Sequence, residues 1–336
     1  MPILVNPKNK INLKTYLYYY MTKTMIPSWD AAAAAEKMER SWPLGKQVRS
    51  QVYWNNNDIF AAGRYLADTG KVIELPGAED PMISGTCVYS EPSFLAGPAP
   101  FAKKGPETSV INDDCLRVAR RMLSEGFHPA VLNLADARTA CGGYPRGSRA
   151  QEESLCRTTT LSRSLYPYYS ENQADKVSVP FVRRAYPMDT RFGGIYSPDV
   201  TVFRENGNGY PLLDEIYKVS IISVAALNSR NRYEKAYLTP DGDFTPEGMS
   251  IMQDKVRTIY RIAGLHGHDA LVLGAFGCGA FRLPSDRVAA LFRDILSEEE
   301  FQGRFKAIRF AILEPGITDW HESRFAPFYE IFNTAD

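Results

Sequence analysis

Twice in this chain an apolar run leads into a glycine-rich loop and then into a helix start. The first unit is Ala130 to Leu134, followed by Gly142, Gly143 and Gly147 and then by Gln151-Glu152-Glu153. The second is Ala270 to Ala275, which enters the loop Gly274-Ala-Phe-Gly-Cys-Gly-Ala-Phe281 and then a helix opening at Pro284. Apolar runs this short read as buried strands. Strands alternating with helices fold as a mixed sheet between helical layers, and ligands of such folds bind beyond the strand ends, where the two loops would meet. Glycines let backbone N–H groups approach an anion, and a helix start adds unpaired N–H donors and a favourable dipole. With Arg138, Arg146, Arg149 and paired acids alongside, the first loop suits a ligand with phosphate and sugar parts.

The alternation begins near Thr86. Thr86 to Tyr89 and Ser109 to Ile111 read as strands, and Asn112-Asp-Asp114 caps a helix with apolar Leu116, Val118, Ala119, Met122 and Leu123. A helix from Gln151 to about Leu165 ends at Tyr166-Pro167, and residues 170 to 192 read as irregular. Gly194 to Phe203 and Lys218 to Val224 read as strands about the turn Asn206 to Gly209. Asn228 to Thr245 reads as a surface excursion. Helices over Pro246 to His266 and Pro284 to Leu296, a strand over Phe305 to Ile312 and a helix over Arg324 to Phe332 complete the pattern. Residues 1 to 80 lack the alternation. They read as a helical N-terminal extension to a domain at 81–336, with an aromatic cluster at Tyr16 to Tyr20, a helix from Trp29 to Arg40 that stops before Pro43, and a second helix capped by Asp58 and ended by Gly70.

Composition narrows the function classes. Hydrophobic residues at 44% against 23% charged exclude a disordered chain, and Lys+Arg 39 balanced by Asp+Glu 39 argues against a protein that coats nucleic acid. Five cysteines without CxxC spacing read as reduced thiols of an intracellular protein. His266-Gly267-His268 has no further ligand close by and reads as a polar helix end rather than a metal site. Neither a leader pattern nor a membrane-spanning run is visible, so the expected location is cytoplasmic or nuclear.

Gly142-Gly143, then seven residues, then Gln151-Glu152-Glu153 resembles the signature of microbial-type poly(ADP-ribose) glycohydrolases, which are macrodomains. That signature is three glycines, a short spacer and Gln-Glu-Glu. Ile195 to Arg204 resembles the family's segment after its signature helix, and Leu271 to Arg282 is similar to its phosphate-clasping loop. The resemblance spans about residues 85 to 315. It implies a macrodomain-like α/β fold that hydrolyses the ribose–ribose bonds of poly(ADP-ribose), releasing ADP-ribose without metal or organic cofactor. By resemblance Glu153 is the acid/base and Glu152 its partner. Glu152 and Gln151 hold ribose hydroxyls, Asp136 meets the terminal ribose, and Gly142, Gly143 and Tyr144 line the ribose and phosphate side. Gly277, Cys278, Gly279, Ala280 and Phe281 form the diphosphate wall, with Phe281 beside the distal ribose. The implied partners are ADP-ribose, its polymer and ADP-ribosylated proteins; direct DNA or RNA binding is not expected.

The chain departs from the family pattern twice. Cys141 replaces the first glycine, adding a side chain and restricting φ, and Asp136 stands where the family often has Asn. A carboxylate accepts ribose hydrogen bonds but does not donate them unless protonated. The residues themselves leave alternatives open. Glu152 and Glu153 also fit as plain helix N-terminal acids, Gln151 as a first-turn cap, Phe281 as core and Cys278 as a packing residue. A helix start favours an ionised carboxylate, whereas a general acid has to arrive protonated. An ADP-ribose-binding module without hydrolysis and a hydrolase of another ADP-ribose conjugate are the rival functions.

Overall fold

The computed structural model describes residues 26–77, 79–95, 100–101, 105–314 and 323–333, so the Tyr16 to Tyr20 cluster lies outside the described residues. In chain order the elements begin with α1 (Ala31–Arg40), α2 (Trp42–Ala62), β1 (Arg64–Leu66), β2 (Val72–Glu74) and α3 (Pro81–Ser84). There follow β3 (Cys87–Tyr89), β4 (Glu107–Ile111), α4 (Cys115–Ser124), β5 (Pro129–Leu134), α5 (Gln151–Thr158), α6 (Leu161–Leu165) and α7 (Glu171–Lys176). The remainder is β6 (Gly194–Arg204), β7 (Leu212–Val224), α8 (Pro246–Leu265), β8 (Ala270–Leu273), α9 (Ser285–Leu296), β9 (Ala307–Ala311) and α10 (Ala326–Phe332).

Side chains alternate across a strand, and here both faces are apolar. Ala130 and Leu132 of β5 join one core with Leu271, Leu273, Ile308 and Phe310, and α8, α9 and α10 cover it. Val131 points into the other core with Val272 and Ile221, under α2, α4, α5 and α6. The result is a seven-stranded mixed sheet, in the order β3-β6-β7-β5-β8-β9-β4, between helical layers. β7, β5, β8, β9 and β4 are parallel neighbours, while β6 runs antiparallel to both β3 and β7. Five strand C-termini therefore share one edge. No helix among the described residues is long and apolar enough to cross a membrane.

Three sequence expectations need correction. Asp58 caps no helix: it lies inside α2, whose N-cap is Ser41 and whose first turn holds Pro43. Proline tolerates a first helical turn because its missing N–H would be unpaired there anyway. The first helix does stop at Arg40, before Pro43, and Pro43 itself lies in the first turn of the next helix, which Gly63 at φ 67° closes. The helix from Gln151 breaks at Thr159, which is extended and bridges Val202. Thr160 N–H donates to Thr201 O at 2.9 Å and Thr160 Oγ1 accepts from Thr201 N at 3.0 Å, so β6 offers this threonine run an alternative to the helix. Finally, β7 begins at Leu212, ahead of Lys218, and α7 lies within the stretch read as irregular.

Candidate active site

The shared edge of strand ends opens on a cavity of about 570 Å³, within the range of small-molecule sites. Asp113 after β4, Leu134 at the end of β5 and Asp136 after it, Ala226 after β7, Gly277 after β8 and Ile312 after β9 all line it. The sheet thus brings both glycine loops to one site.

α5 starts directly behind the first loop, which puts Glu152 and Glu153 in its first turn, 3% and 7% exposed. Neither serves as a simple helix-end acid. Glu153 Oε1 accepts the Gly143 N–H at 2.8 Å, and Glu152 Oε2 accepts the Asp136 N–H at 2.8 Å. Each carboxylate is therefore held by the loop that precedes it. Glu153 Oε2 is buried and has no partner among the described residues. Gly142 leaves room for an acid and Gly143 for Ser148. A Cβ on Gly142 would lie 2.6 Å from Glu153 Oε1, and one on Gly143 would lie 2.1 Å from Ser148 Oγ. Burial, with Glu153 and Asp136 adding repulsion, pushes the Glu152 carboxyl well above the ordinary range, against the pull of the Asp136 N–H. Burial thus favours the protonated form of Glu152.

The second loop has a different construction. Gly277 takes φ 78°, and a Cβ there would lie 2.4 Å from Leu283 Cδ1 and 2.7 Å from Ala226 Cβ. The N–H groups of Gly277, Gly279, Ala280 and Phe281 donate to no other group among the described residues. Gly279 and Ala280 are exposed at the cavity wall. Unpaired amides around an open turn form a cradle for an anion such as a diphosphate.

Of the sequence-predicted residues, Asp136, Gly142, Gly143, Gln151, Glu152, Glu153, Gly277, Gly279, Ala280 and Phe281 line this cavity. Tyr144 does not: its buried ring packs edge-on against Tyr53 at 5.0 Å and its hydroxyl accepts from Asn56 at 2.7 Å. Cys278 also lies outside the lining, a buried thiol directed to Phe276 O. Gln151 reaches the cavity, but its amide is occupied elsewhere. Oε1 accepts from Leu134 N at 2.9 Å and Nε2 donates to Leu132 O at 2.7 Å, which fixes α5 to the end of β5. Asp136 Oδ1 accepts from Arg138 N and Thr139 N, both at 2.8 Å, so one of its oxygens organises its own turn. Cys141 adopts φ 60°, but its fully buried thiol meets Cys156 and Tyr166 instead of the cavity.

Sequence reasoning missed Asn133. Its Nδ2 donates to Ser223 Oγ at 3.0 Å and approaches Glu152 Oε1 at 3.4 Å. A lone amide in the apolar run of β5 was the available signal. Arg146, Arg149 and Arg324 also line the cavity. His266 and His268 lie elsewhere, bonded to the hydroxyls of Tyr89 (2.8 Å) and Tyr196 (2.9 Å), and no group of His, Cys, Asp and Glu that could hold a metal occurs among the described residues.

Known proteins resemble this chain in sequence and in fold. A family model for the catalytic domain of microbial-type PARG, poly(ADP-ribose) glycohydrolase, matches residues 55–205. No curated protein sequence matches the chain. Among solved structures, the poly(ADP-ribose) glycohydrolase of Thermomonospora curvata is 27% identical, covers 85% of this chain and 100% of its own, and superposes with a TM-score of 0.67. The same enzyme bound to the inhibitor ADP-HPD is similar at 28% identity, 84% and 99% coverage and a TM-score of 0.64. The Deinococcus radiodurans glycohydrolase in complex with ADP-ribose is 26% identical over 78% of this chain and 99% of its own, with a TM-score of 0.56. The matched span contains the first glycine loop and both glutamates, and the fold agrees over almost the whole of each relative: the chain is similar in sequence and fold to microbial-type poly(ADP-ribose) glycohydrolases.

Proposed function

We propose that this chain hydrolyses the ribose–ribose O-glycosidic bonds of poly(ADP-ribose) and releases ADP-ribose, with Glu153 as acid/base and Glu152 as its partner. The observation that carries the reading is the pair of buried carboxyl groups, each held by a loop N–H, with Glu153 Oε2 left unpartnered in a residue that lines the cavity. Cleavage needs a proton on the departing ribose oxygen and a base to take one from the attacking water. A single carboxyl performs both steps if it gives its proton to the leaving hydroxyl and recovers one from water. Glu152, fixed by Asp136 and Asn133, orients the sugar beside it. The second loop supplies N–H groups to the diphosphate, so no step is routed through a metal or an organic cofactor.

The ligand class is supported by the relatives, one solved with ADP-HPD and one with ADP-ribose. The lining residues all fall within 81–336, and the helices ahead of them act as support. Five free thiols suit a reducing compartment, cytoplasmic or nuclear, where ADP-ribosylated proteins are the substrates. The test is incubation with labelled polymer. Release of free ADP-ribose is expected; tight polymer binding without release would leave only the binding-module reading.

A further inference from the structure

The helix ahead of the sheet reaches the base of the catalytic pair through Asn56. Asn56 of α2 is fully buried. Its Nδ2 donates to Tyr144 OH at 2.7 Å and to Arg157 O at 2.8 Å, while its Oδ1 accepts from Arg204 Nε at 2.7 Å. Both amide hydrogens and the carbonyl are thus engaged, and the orientation is unique. A flipped amide would set its oxygen against the Arg157 carbonyl and its N–H groups against the Arg204 donor. Arg204 is anchored in turn by donating Nη1 to Tyr210 O at 2.9 Å and Nη2 to Asn55.

The contacts converge on the catalytic pair. Tyr144 follows Gly143, whose N–H holds Glu153 Oε1, and Arg157 lies one turn beyond Glu153 on α5. Asn56 therefore grips both sides of the Gly143–Glu153 hydrogen bond from behind. The same face of α2 grips the rest of the loop. Arg49 Nε donates to Gly147 O and Ser50 Oγ to Pro145 O, each at 2.8 Å. A Cβ on Gly147 would lie 2.2 Å from Lys46 O, so loop and helix backbones touch there. Lys46, Arg49, Ser50, Tyr53 and Asn56 recur at the three- and four-residue spacing of one helix face.

We infer that Asn56 is a positioning residue for hydrolysis: acting through Tyr144 and the backbone of Arg157, it sets the placement of Glu153 against the Gly143 N–H. It touches no substrate. The inference rests on the proposed function, but it has a readout that needs no turnover.

The experiment pairs Asn56→Ala with Tyr144→Phe, which removes the same hydrogen bond and only a hydroxyl. Both are compared with wild type in polymer turnover, ADP-ribose affinity, thermal unfolding and amide hydrogen exchange at Gly143. A fall in kcat of about tenfold is expected in each, with ADP-ribose Kd within about twofold, because displaced reacting groups lower the rate without lost binding contacts. The double variant should lose little more than either single one, since both break one link. Gly143 exchange should accelerate in both. If Asn56→Ala does not fold, Tyr144→Phe alone carries the same expectations. Unchanged kcat and unchanged Gly143 exchange in a folded variant would overturn the inference, as would losses that merely track ADP-ribose affinity. A wild type that releases no ADP-ribose would sink the proposed function instead, and Gly143 exchange would still decide the role of Asn56.

Discussion

The two glycine loops look alike in sequence and are built for opposite purposes. In the first, Gly142 makes room for a carboxylate: a Cβ there would meet Glu153 Oε1 at 2.6 Å, and the Gly143 N–H is already bonded to that oxygen. In the second, Gly277 makes room for Leu283 and Ala226, and the amides of Gly279, Ala280 and Phe281 have no partner among the described residues. One loop uses its backbone to position side-chain acids, and in the proposed function the other presents its backbone to the ligand. A glycine motif thus states only that something comes close; the approaching atom decides whether the loop serves chemistry or binding.

That division can be broken at its strongest point first. Glu153→Gln should lower kcat by about 10³-fold, the scale of a lost general acid/base, while ADP-ribose Kd stays within about threefold. Steady-state hydrolysis of labelled polymer and calorimetric titration measure the two. A variant that retains most of its activity would remove the acid role from the first loop.

Next in size is the contrast between glycines. Gly142→Ala should reduce kcat by about 10²-fold with affinity spared, since its Cβ displaces Glu153 from the reacting geometry. Gly277→Ala, at φ 78° and pressed on Leu283, should instead weaken ADP-ribose binding by about tenfold. Equal effects of both substitutions on the same parameter would erase the distinction.

Glu152 gives a smaller effect with a defined pH sign. Because burial favours its protonated form, Glu152→Gln keeps the shape of the side chain and removes its titration. A loss of kcat below about tenfold is expected. The folded carboxyl holds its proton above pH 4.5, where the unfolded chain has released it, so wild-type stability falls as pH rises through and beyond that value. Thermal unfolding of Glu152→Gln should lack this decline, and its advantage over wild type should widen toward alkaline pH. A gap that narrows with pH would place the charged form in the folded state.

The smallest effect concerns the departure from the family signature. Cys141→Gly relieves a left-handed backbone and removes a buried thiol, two opposing terms of about 1 kcal/mol or less each. Stability should change by under about 1 kcal/mol. With the thiol turned toward Cys156 and Tyr166, kcat should stay within about twofold. A larger change in kcat would mean that the thiol influences the acids after all.

The same contrast explains what could be seen in the sequence. β5 was legible because Ala130, Leu132 and Val131 supply both faces of a buried strand, and the acids were legible because Gln151, Glu152 and Glu153 open a helix behind glycines. Those are local signals. The use of Gln151 to hold β5, the burial of Tyr144 and the break at Thr159 depend on partners distant in sequence, respectively Leu132, Asn56 and Val202. Asn56 carried no mark beyond its place in an asparagine run, because its value lies in three partners that only the fold assembles.

The account is tested most directly by a crystal structure of the chain with ADP-ribose. Its central claim predicts the diphosphate on the N–H groups of Gly277, Gly279 and Ala280, and a Glu153 oxygen within about 3.2 Å of the anomeric hydroxyl, the reach of a hydrogen bond. A ligand whose terminal ribose lies beyond hydrogen-bond reach of Glu153, or whose diphosphate rests on the first loop instead, would contradict it.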